Sequence, residues 1–381
     1  MKTLYAHQQR FIDRNPNNAL LVWETGTGKT LAACEWLKKR EDKEALIVCP
    51  KAIMGKWKRD LEEEGVAADI MSRDEIKKLP IKDYRAIVLD EAQDYASPLF
   101  NKARSQRTTV IYNHIKDTKK ETHVLLLTAT PIRSTPWNIH TLACYMGVYW
   151  NSRDFQNKFW YLTDMYGRMH YELKNGWQKM IKPYVEEIAD IVLMKDCVDV
   201  PKQESQILRL KEPEMPPDES YLEPSAKWYA RHRNEQGAGK LEALKKITDG
   251  YRKVIVVCHY TEQIERYAKE LGKERLVYVL QGATKDPDKE ITEAKDADDC
   301  IFIIQASMGA GFDAAEFSVV IFASMSFRYV DYIQMLGRVK RINNLHSNLF
   351  IHMLAGKCDE MVYKTIMDGH DFNVLYEANH L

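Results

Sequence analysis

Leu20-Leu21-Val22-Trp23-Glu24-Thr25-Gly26-Thr27-Gly28-Lys29-Thr30 decides how the rest of the chain is read. Its first four residues form an apolar run suited to a buried strand. Gly26 and Gly28 then allow a tight turn that brings backbone N–H groups close to a phosphate. Lys29 is placed to reach the β- and γ-phosphates of a nucleotide as a point charge, and Thr30 to ligate Mg2+. A helical pattern follows at once in Leu31, Cys34, Glu35 and Leu37, so the positive end of its dipole faces the same phosphates. The usual phosphate-loop pattern has a glycine where this chain has Trp23. The competing reading is a Gly-rich turn between a strand and a helix.

Upstream, Ala6 to Ile12 reads as a short helix that ends near Asn15-Pro16. Gln8 lies twenty-one positions before Lys29. Its amide is both donor and acceptor and suits an adenine edge; a solvated helix residue fits the spacing equally well. Downstream, the apolar runs Ala45–Cys49, Arg85–Leu89 and His123–Leu127 alternate with helical patterns. That alternation predicts a parallel sheet with helices on its faces, whose ligands collect outside the carboxyl ends of the strands. The polar residues of interest follow those ends: Gly26–Thr30, Pro50-Lys51, Asp90-Glu91 and Thr128–Thr130.

Asp90 at the end of a buried strand can hold Mg2+ through water, and Glu91 beside it can polarise the attacking water. The competing reading there is an exposed acidic turn. Thr128-Ala129-Thr130-Pro131 offers small hydroxyls to the metal-binding carboxylates or to a neighbouring lobe, or is a plain strand-ending turn. Residues 151–199 are aromatic-rich, with Phe155, Phe159, Trp160, Tyr161, Tyr166 and Trp177, and read as an insertion or helical extension of the first domain whose rings are core. Val200–Ala226 holds five prolines, at 201, 213, 216, 217 and 224, and residues 201–240 read as a linker; Ile207, Leu208 and Leu210 within it have the character of a strand of the second domain.

A second alternating set begins after Lys240, with strands Val254–Cys258, Leu276–Leu280, Cys300–Ile304, Val319–Phe322 and Leu349–Met353. The expected fold is therefore α/β, with two domains at 1–200 and 241–381. Ser307, Gly309 and Gly311 offer a hydroxyl and open N–H groups to a phosphodiester or a γ-phosphate. If Tyr329–Arg341 is helical, Gln334, Arg338 and Arg341 share one face. Two guanidinium groups there suit the charge on a transferring phosphoryl group, although the flanking Ile333, Met335, Leu336 and Val339 argue for a packed helix.

Composition bounds these readings. A chain of 381 residues, 45% hydrophobic and 29% charged, is long enough for two domains with their own cores. With 55 basic and 55 acidic residues, a polyanionic partner would have to be met by a local basic groove. Seven scattered cysteines without a C-x-x-C pair read as buried free thiols of a reducing cytosol, not as a metal site. No run has the character of a signal segment or a membrane span.

Taken in order, the motifs resemble those of superfamily-2 helicases and translocases, most closely the Swi/Snf-like branch and its small phage-type relatives. They are WETGTGKT (23–30), ALIVCPKAIMGKWKRDL (45–61), LDEAQ (89–93), LLLTATPI (125–132), VIVVCHYTEQ (254–263), QASMGAGFD (305–313) and QMLGRVKRI (334–342). The resemblance covers the chain from Leu4 to about Ile366 and implies two RecA-like lobes with an ATP site in the cleft between them. It implies ATP and Mg2+ as cofactors. Gln8 would read adenine; Thr25, Gly26, Thr27, Gly28, Lys29, Thr30, Gly311 and Asp313 would line the nucleotide site; Thr30 and Asp90 would hold the metal. Glu91 would be the catalytic base, Arg338 and Arg341 arginine fingers, and Gln334 would sit near the γ-phosphate. Lys51, Ser72, Thr261 and Ser307 fall where the family touches the nucleic-acid backbone.

The implied activity is ATP-driven movement along DNA, by a cytoplasmic monomer acting in replication, recombination or repair, with proteins of those processes as further partners and no membrane. Gln334 opening its motif and Thr128-Ala129-Thr130 in the third motif lean towards DNA. An RNA-dependent ATPase, a nucleic-acid-binding ATP switch without hydrolysis and a metabolic P-loop kinase are the competing readings. Trp23 and Gln93 depart from the family pattern, and the chain has no room for the large insertions of nucleosome remodellers.

Overall fold

The computed structural model describes residues 4–40, 44–76, 84–99, 105–117, 121–133, 135–165, 168–197, 203–213, 223–309, 312–339 and 347–372. The chain divides into two compact units, Met1–Val198 and Asp199–Leu381.

The first unit runs α1 (Ala6–Arg14), β1 (Asn18–Trp23), α2 (Lys29–Lys38), β2 (Ala45–Cys49), α3 (Met54–Glu64), β3 (Asp69–Ser72), β4 (Ala86–Asp90), α4 (Gln106–Asp117), β5 (His123–Thr128) and α5 (Trp137–Tyr145). It continues through α6 (Ser152–Phe159), β6 (Trp160–Met165), β7 (Arg168–Leu173), α7 (Trp177–Ile188) and β8 (Ala189–Val192). Six strands form one parallel sheet in the order β3-β2-β4-β5-β1-β8. Because β5 lies between β1 and β4, the phosphate loop, the Asp90-Glu91 pair and Thr128 leave adjacent strand ends on one edge.

Strand periodicity fills both faces of this sheet. Leu21, Trp23, Ile47, Val88 and Leu125 join one apolar core with Phe11, Trp36 and Trp57. Leu20, Leu46, Val48, Leu89 and Leu126 join the other with Tyr95, Tyr145, Phe155 and Phe159. A sheet covered on both faces needs near-continuous apolar strands, which is why these runs were readable.

The aromatic segment 151–199 is only partly core. Phe155 and Phe159 are buried and Trp160 stacks on Trp137 with centroids 5.3 Å apart, but β6 and β7 form an antiparallel hairpin that leaves Tyr161, Leu162, Met169 and Tyr171 exposed. Beyond it β8 adds a parallel edge strand beside β1.

The second unit runs β9 (Gln203–Arg209), α8 (Pro224–Glu235), α9 (Ala238–Thr248), β10 (Lys253–Cys258), α10 (Thr261–Leu271), β11 (Val277–Leu280), α11 (Pro287–Asp296), β12 (Cys300–Gln305), β13 (Val319–Phe322), α12 (Tyr329–Val339), β14 (Asn348–Leu354) and α13 (Lys357–Met367). Its sheet is also parallel and six-stranded, in the order β11-β12-β10-β13-β14-β9. The stretch 201–240 is therefore not a plain linker. Ile207 and Leu208 pair with His352 and Met353 in the sheet, and α8 buries Trp228 in the core. Proline density misled because Pro224 begins α8, where a missing N–H costs nothing.

Where β10, β13 and β14 end, α8, α9 and α13 enclose a charged cluster. The Lys240 ammonium lies 2.6 Å from Asp359 Oδ2 and donates to Gln236 Oε1 at 2.7 Å and to the Ala323 carbonyl. Asp359 also faces His232 Nε2 at 3.1 Å, Gln236 Nε2 at 2.9 Å and the Ala355 N–H at 3.0 Å. Burial alone would raise the Asp359 carboxyl, but Lys240 and the His232 contact carry it well below the usual carboxylate range. Glu235 accepts the Cys358 and Asp359 N–H groups at 3.0 and 2.7 Å at the start of α13. Burial first, and Asp359 second, push its carboxyl up to about 7. No described helix is long and apolar enough to cross a membrane.

Candidate active site

The loop between β1 and α2 turns through Gly26 (φ 86) and Gly28 (φ 83), a left-handed backbone that glycine adopts without strain. Thr27 is buried and its hydroxyl donates to the Glu24 carbonyl at 2.7 Å; Thr25 is half-buried. The Lys29 ammonium donates to the carbonyls of Trp23 and Glu24 at 2.7 and 3.1 Å. It is thereby folded over the loop it belongs to.

Helix α1 backs this loop. Gln8 is 1% exposed, so it is no solvated helix residue. Its Oε1 accepts the Tyr5 N–H at 2.8 Å, and its Nε2 donates to the Gly28 carbonyl at 3.0 Å. A Cβ on Gly28 would overlap that amide. His7 Nε2 lies 2.8 Å from the Thr27 carbonyl, a contact the sequence reading did not anticipate. Trp23, at the position where the usual pattern has glycine, is the buried last residue of β1. Its indole donates to Asp190 of β8 at 2.9 Å, and its ring meets His7 and Phe11 edge-on. The departure thus clamps α1 and β8 to the loop strand.

Asp90 is the last residue of β4. Its Oδ1 accepts the Glu91 N–H at 3.0 Å, and its Oδ2 accepts the Trp57 indole N–H at 2.9 Å. Glu91 holds φ 54 and ψ 55, a left-handed conformation uncommon outside glycine and concentrated at functional sites. Gln93 Nε2 donates to Glu91 Oε2 at 2.8 Å, and Thr128 Oγ1 donates to Gln93 Oε1 at 2.6 Å. The Thr130 N–H in turn donates to Thr128 Oγ1 at 2.9 Å. The threonine-rich turn is therefore linked to Glu91 through Gln93 and is more than a strand ending. Gln93 suits this place because one amide donates to a carboxylate while accepting from a hydroxyl.

Two residues of α3 escaped the sequence reading. Lys56 Nζ donates to Thr30 Oγ1 at 3.2 Å and to Asp60 at 2.9 Å, and Trp57 holds Asp90. A lone tryptophan on an amphipathic helix reads as core, which Trp57 also is at 1% exposure; only tertiary contact reveals the second duty of its N–H.

Thr30 and Asp90 fit Mg2+, a hard cation usually bound by one or two carboxylates together with substrate phosphates and waters. Among the described residues no group of three or more His, Cys, Asp or Glu could hold a metal by itself, so the nucleotide would have to complete the shell. Burial pushes the thiols of Cys34 and Cys49 up to about 12, which keeps them protonated and out of the chemistry.

In the second unit the packed-helix argument holds for Arg338. It is 8% exposed, and its Nη1 donates to the Phe312 carbonyl at 2.8 Å. Gln334 on the same helix is half-buried. Arg341 and Gly311 lie outside the described residues. Asp313 is exposed, with Oδ1 accepting the Ala315 N–H at 3.2 Å. Lys51 after β2, Thr261 after β10 and Ser307 after β12 are exposed, each at the carboxyl edge of its own sheet. Ser72 differs. It is buried, and its hydroxyl donates to Glu75 at 2.7 Å, which leaves it no open face for a backbone phosphate.

Residues 239–343 match the helicase conserved C-terminal domain family. A curated relative in Caenorhabditis elegans, the SWI/SNF-related matrix-associated actin-dependent regulator of chromatin subfamily A-like protein 1 homolog, is 21% identical over 92% of this chain. The chain spans 58% of that protein's length. Among solved structures, S. cerevisiae Dbp5 bound to RNA and ADP BeF3 aligns with a TM-score of 0.59 at 15% identity, over 97% of this chain and 88% of that one. The fold is two RecA-like lobes, one per unit.

Proposed function

We propose that the chain is an ATP-driven nucleic-acid motor of the Swi/Snf-like kind, a compact DNA translocase or helicase. The observation that carries this reading is the convergence in the first unit of Gly28, Lys29 and Thr30 with Asp90, Glu91 and the Gln93–Thr128 relay. That set covers phosphate binding, metal binding and water activation at three adjacent strand ends. The helicase match of the second unit and the chromatin-regulator relative support the motor and DNA parts of it.

In this reading Lys29 exchanges the Trp23 and Glu24 carbonyls for phosphate oxygens, and the N-terminus of α2 adds its dipole. Magnesium, when bound at Thr30 and Asp90, neutralises charge on the phosphate oxygens. Glu91 takes a proton from the attacking water, with Gln93 fixing the orientation of its carboxylate. By the resemblance, Arg338 and Arg341 are the candidates for stabilising charge on a transferring phosphoryl group. Lys51, Thr261 and Ser307 meet the nucleic-acid backbone, which makes binding independent of sequence and sensitive to salt.

The test is steady-state ATPase activity without nucleic acid and with single-stranded, duplex and forked DNA and RNA, together with strand displacement. Stimulation by DNA is expected, and Glu91→Gln should lose at least ~100-fold in turnover, as general-base removal usually does, while ATP binding persists. Stimulation by RNA alone overturns the DNA assignment. Wild-type turnover in Glu91→Gln overturns the base assignment.

A further inference from the structure

Both oxygens of the Asp90 carboxylate have fixed donors. One is the Glu91 backbone; the other is the indole N–H of Trp57 at 2.9 Å. Trp57 is 1% exposed and packs in the core that includes Trp23 and Trp36, so its ring has no room to turn. An indole N–H donates and never accepts. It therefore fixes the plane of the carboxylate and the direction of the oxygen it holds. The neighbouring residue of the same helix, Lys56, is bonded to Thr30 Oγ1 at 3.2 Å. Two consecutive residues of α3 thus touch the two candidate magnesium ligands, one each.

The segment that carries them begins at Lys51. Lys51–Ile53 is a 3-10 turn that runs straight into Met54 and α3, and Lys51 itself is exposed at the carboxyl edge of the sheet.

We propose that Trp57 is the positioning residue of the metal carboxylate, and that α3 passes contact at Lys51 to the magnesium ligands through Trp57 and Lys56. This rests on reading the site as one for Mg2+ and ATP. Partners in the shell behind a metal ligand commonly set metal affinity by 10–100-fold, because they hold the ligand in the geometry the metal needs. A shift of α3 moves the donor on Asp90 and the ammonium on Thr30 together, so a phosphate gripped at Lys51 alters both ligands at once.

The experiment uses the full chain and Trp57→Phe, which keeps an aromatic ring but deletes the N–H together with the five-membered half of the indole, so an Asp90→Asn background serves to subtract the effect of the cavity. Mn2+ binding to the ADP complex is followed by electron paramagnetic resonance, beside ADP binding in EDTA. The expected result is Mn2+ affinity weakened about 10-fold, with metal-free ADP affinity unchanged. In the ATPase assay the Mg2+ concentration for half-maximal rate rises more than the saturated rate falls. Trp57→Phe in an Asp90→Asn background should add nothing, which separates positioning from general damage to the fold.

DNA should change the Mn2+ affinity of the wild-type chain and Lys51→Ala should remove that change; a wild-type Mn2+ affinity that DNA leaves unaltered overturns the coupling. Unaltered Mn2+ affinity in Trp57→Phe, or an equal loss of metal-free ADP binding, overturns the positioning role. A DNA-induced change that survives Lys51→Ala overturns the coupling. A wild-type chain that binds Mn2+–ADP but whose ATP hydrolysis no DNA or RNA stimulates leaves the Trp57 inference standing and refutes the motor, so the two failures are distinguishable.

Discussion

Lys240→Met offers the sharpest test of how the second unit is held. The Lys240 side chain is fully buried and its partner Asp359 is 4% exposed. Methionine keeps the stem volume but removes the ammonium, which strips Gln236 Oε1 and the Ala323 carbonyl of a donor and leaves the carboxylate with neutral donors only. Breaking a buried pair from one side costs about 3–5 kcal/mol, since an uncompensated charge stays behind. For a domain of 150–250 residues a loss of 1 kcal/mol lowers Tm by roughly 2–4 °C, so the transition of this unit should fall by roughly 6–20 °C in calorimetry. The loss should shrink at acid pH, where Asp359 or His232 takes up the missing proton. Asp359→Asn added to Lys240→Met should recover part of the loss, because a neutral amide needs no counter-ion. A Tm drop below about 2 °C, or strictly additive losses in the double variant, would refute the claim that this pair is a desolvated charge couple.

Two further outcomes follow from positions already described. Gly28→Ala forces a side chain into a left-handed backbone, at about 1–2 kcal/mol, and into the Gln8 amide. ADP affinity measured by calorimetry should fall at least ~10-fold, the equivalent of 1.4 kcal/mol, and Gln8→Ala should restore part of the lost thermal stability; unchanged affinity would contradict the close approach seen here. Glu235 is raised from its ordinary 4.5 to about 7, so between those values the folded state holds more proton than the unfolded one, and stability falls as pH rises through that window and levels off above it. Glu235→Gln should flatten this fall when urea midpoints are compared at pH 5 and pH 8, and an unaltered slope would show that the carboxyl is ionised throughout.

Much of the architecture was legible because doubly covered parallel strands must be apolar along their length. The runs at 45–49, 254–258 and 300–304 could hardly be anything else, and the residues that end them mark the ligand edge. Boundaries drifted where the signal changes character. Asp90 completes β4 because the ladder continues opposite Leu127 although the apolar run has ended. The stretch 201–240 looked like a linker because prolines weigh heavily in a window, whereas β9 is held by pairing with β14 rather than by its own burial. Within the site, Lys29, Thr30, Asp90, Glu91 and Thr128 lie at or just after strand ends, where motifs are legible, whereas Trp57 and Lys56 act from a helix whose docking no local pattern encodes. Ser72 was misjudged for a related reason. A serine at a strand end reads as open, and here Glu75, three residues on, captures its hydroxyl.

The Glu91–Gln93–Thr128 relay has one polarity. A carboxylate can only accept, so Gln93 must turn its NH2 towards Glu91 and its oxygen towards Thr128. The threonine hydroxyl must then donate, which leaves its lone pair to the Thr130 N–H. The order of every bond from β4 to the turn after β5 is therefore dictated by one missing proton on Glu91. Once Glu91 is protonated it can donate, the glutamine amide is free to turn over, and the hydroxyl of Thr128 can reverse. A proton gained at Glu91 would in this way be felt at Thr128, two hydrogen bonds away.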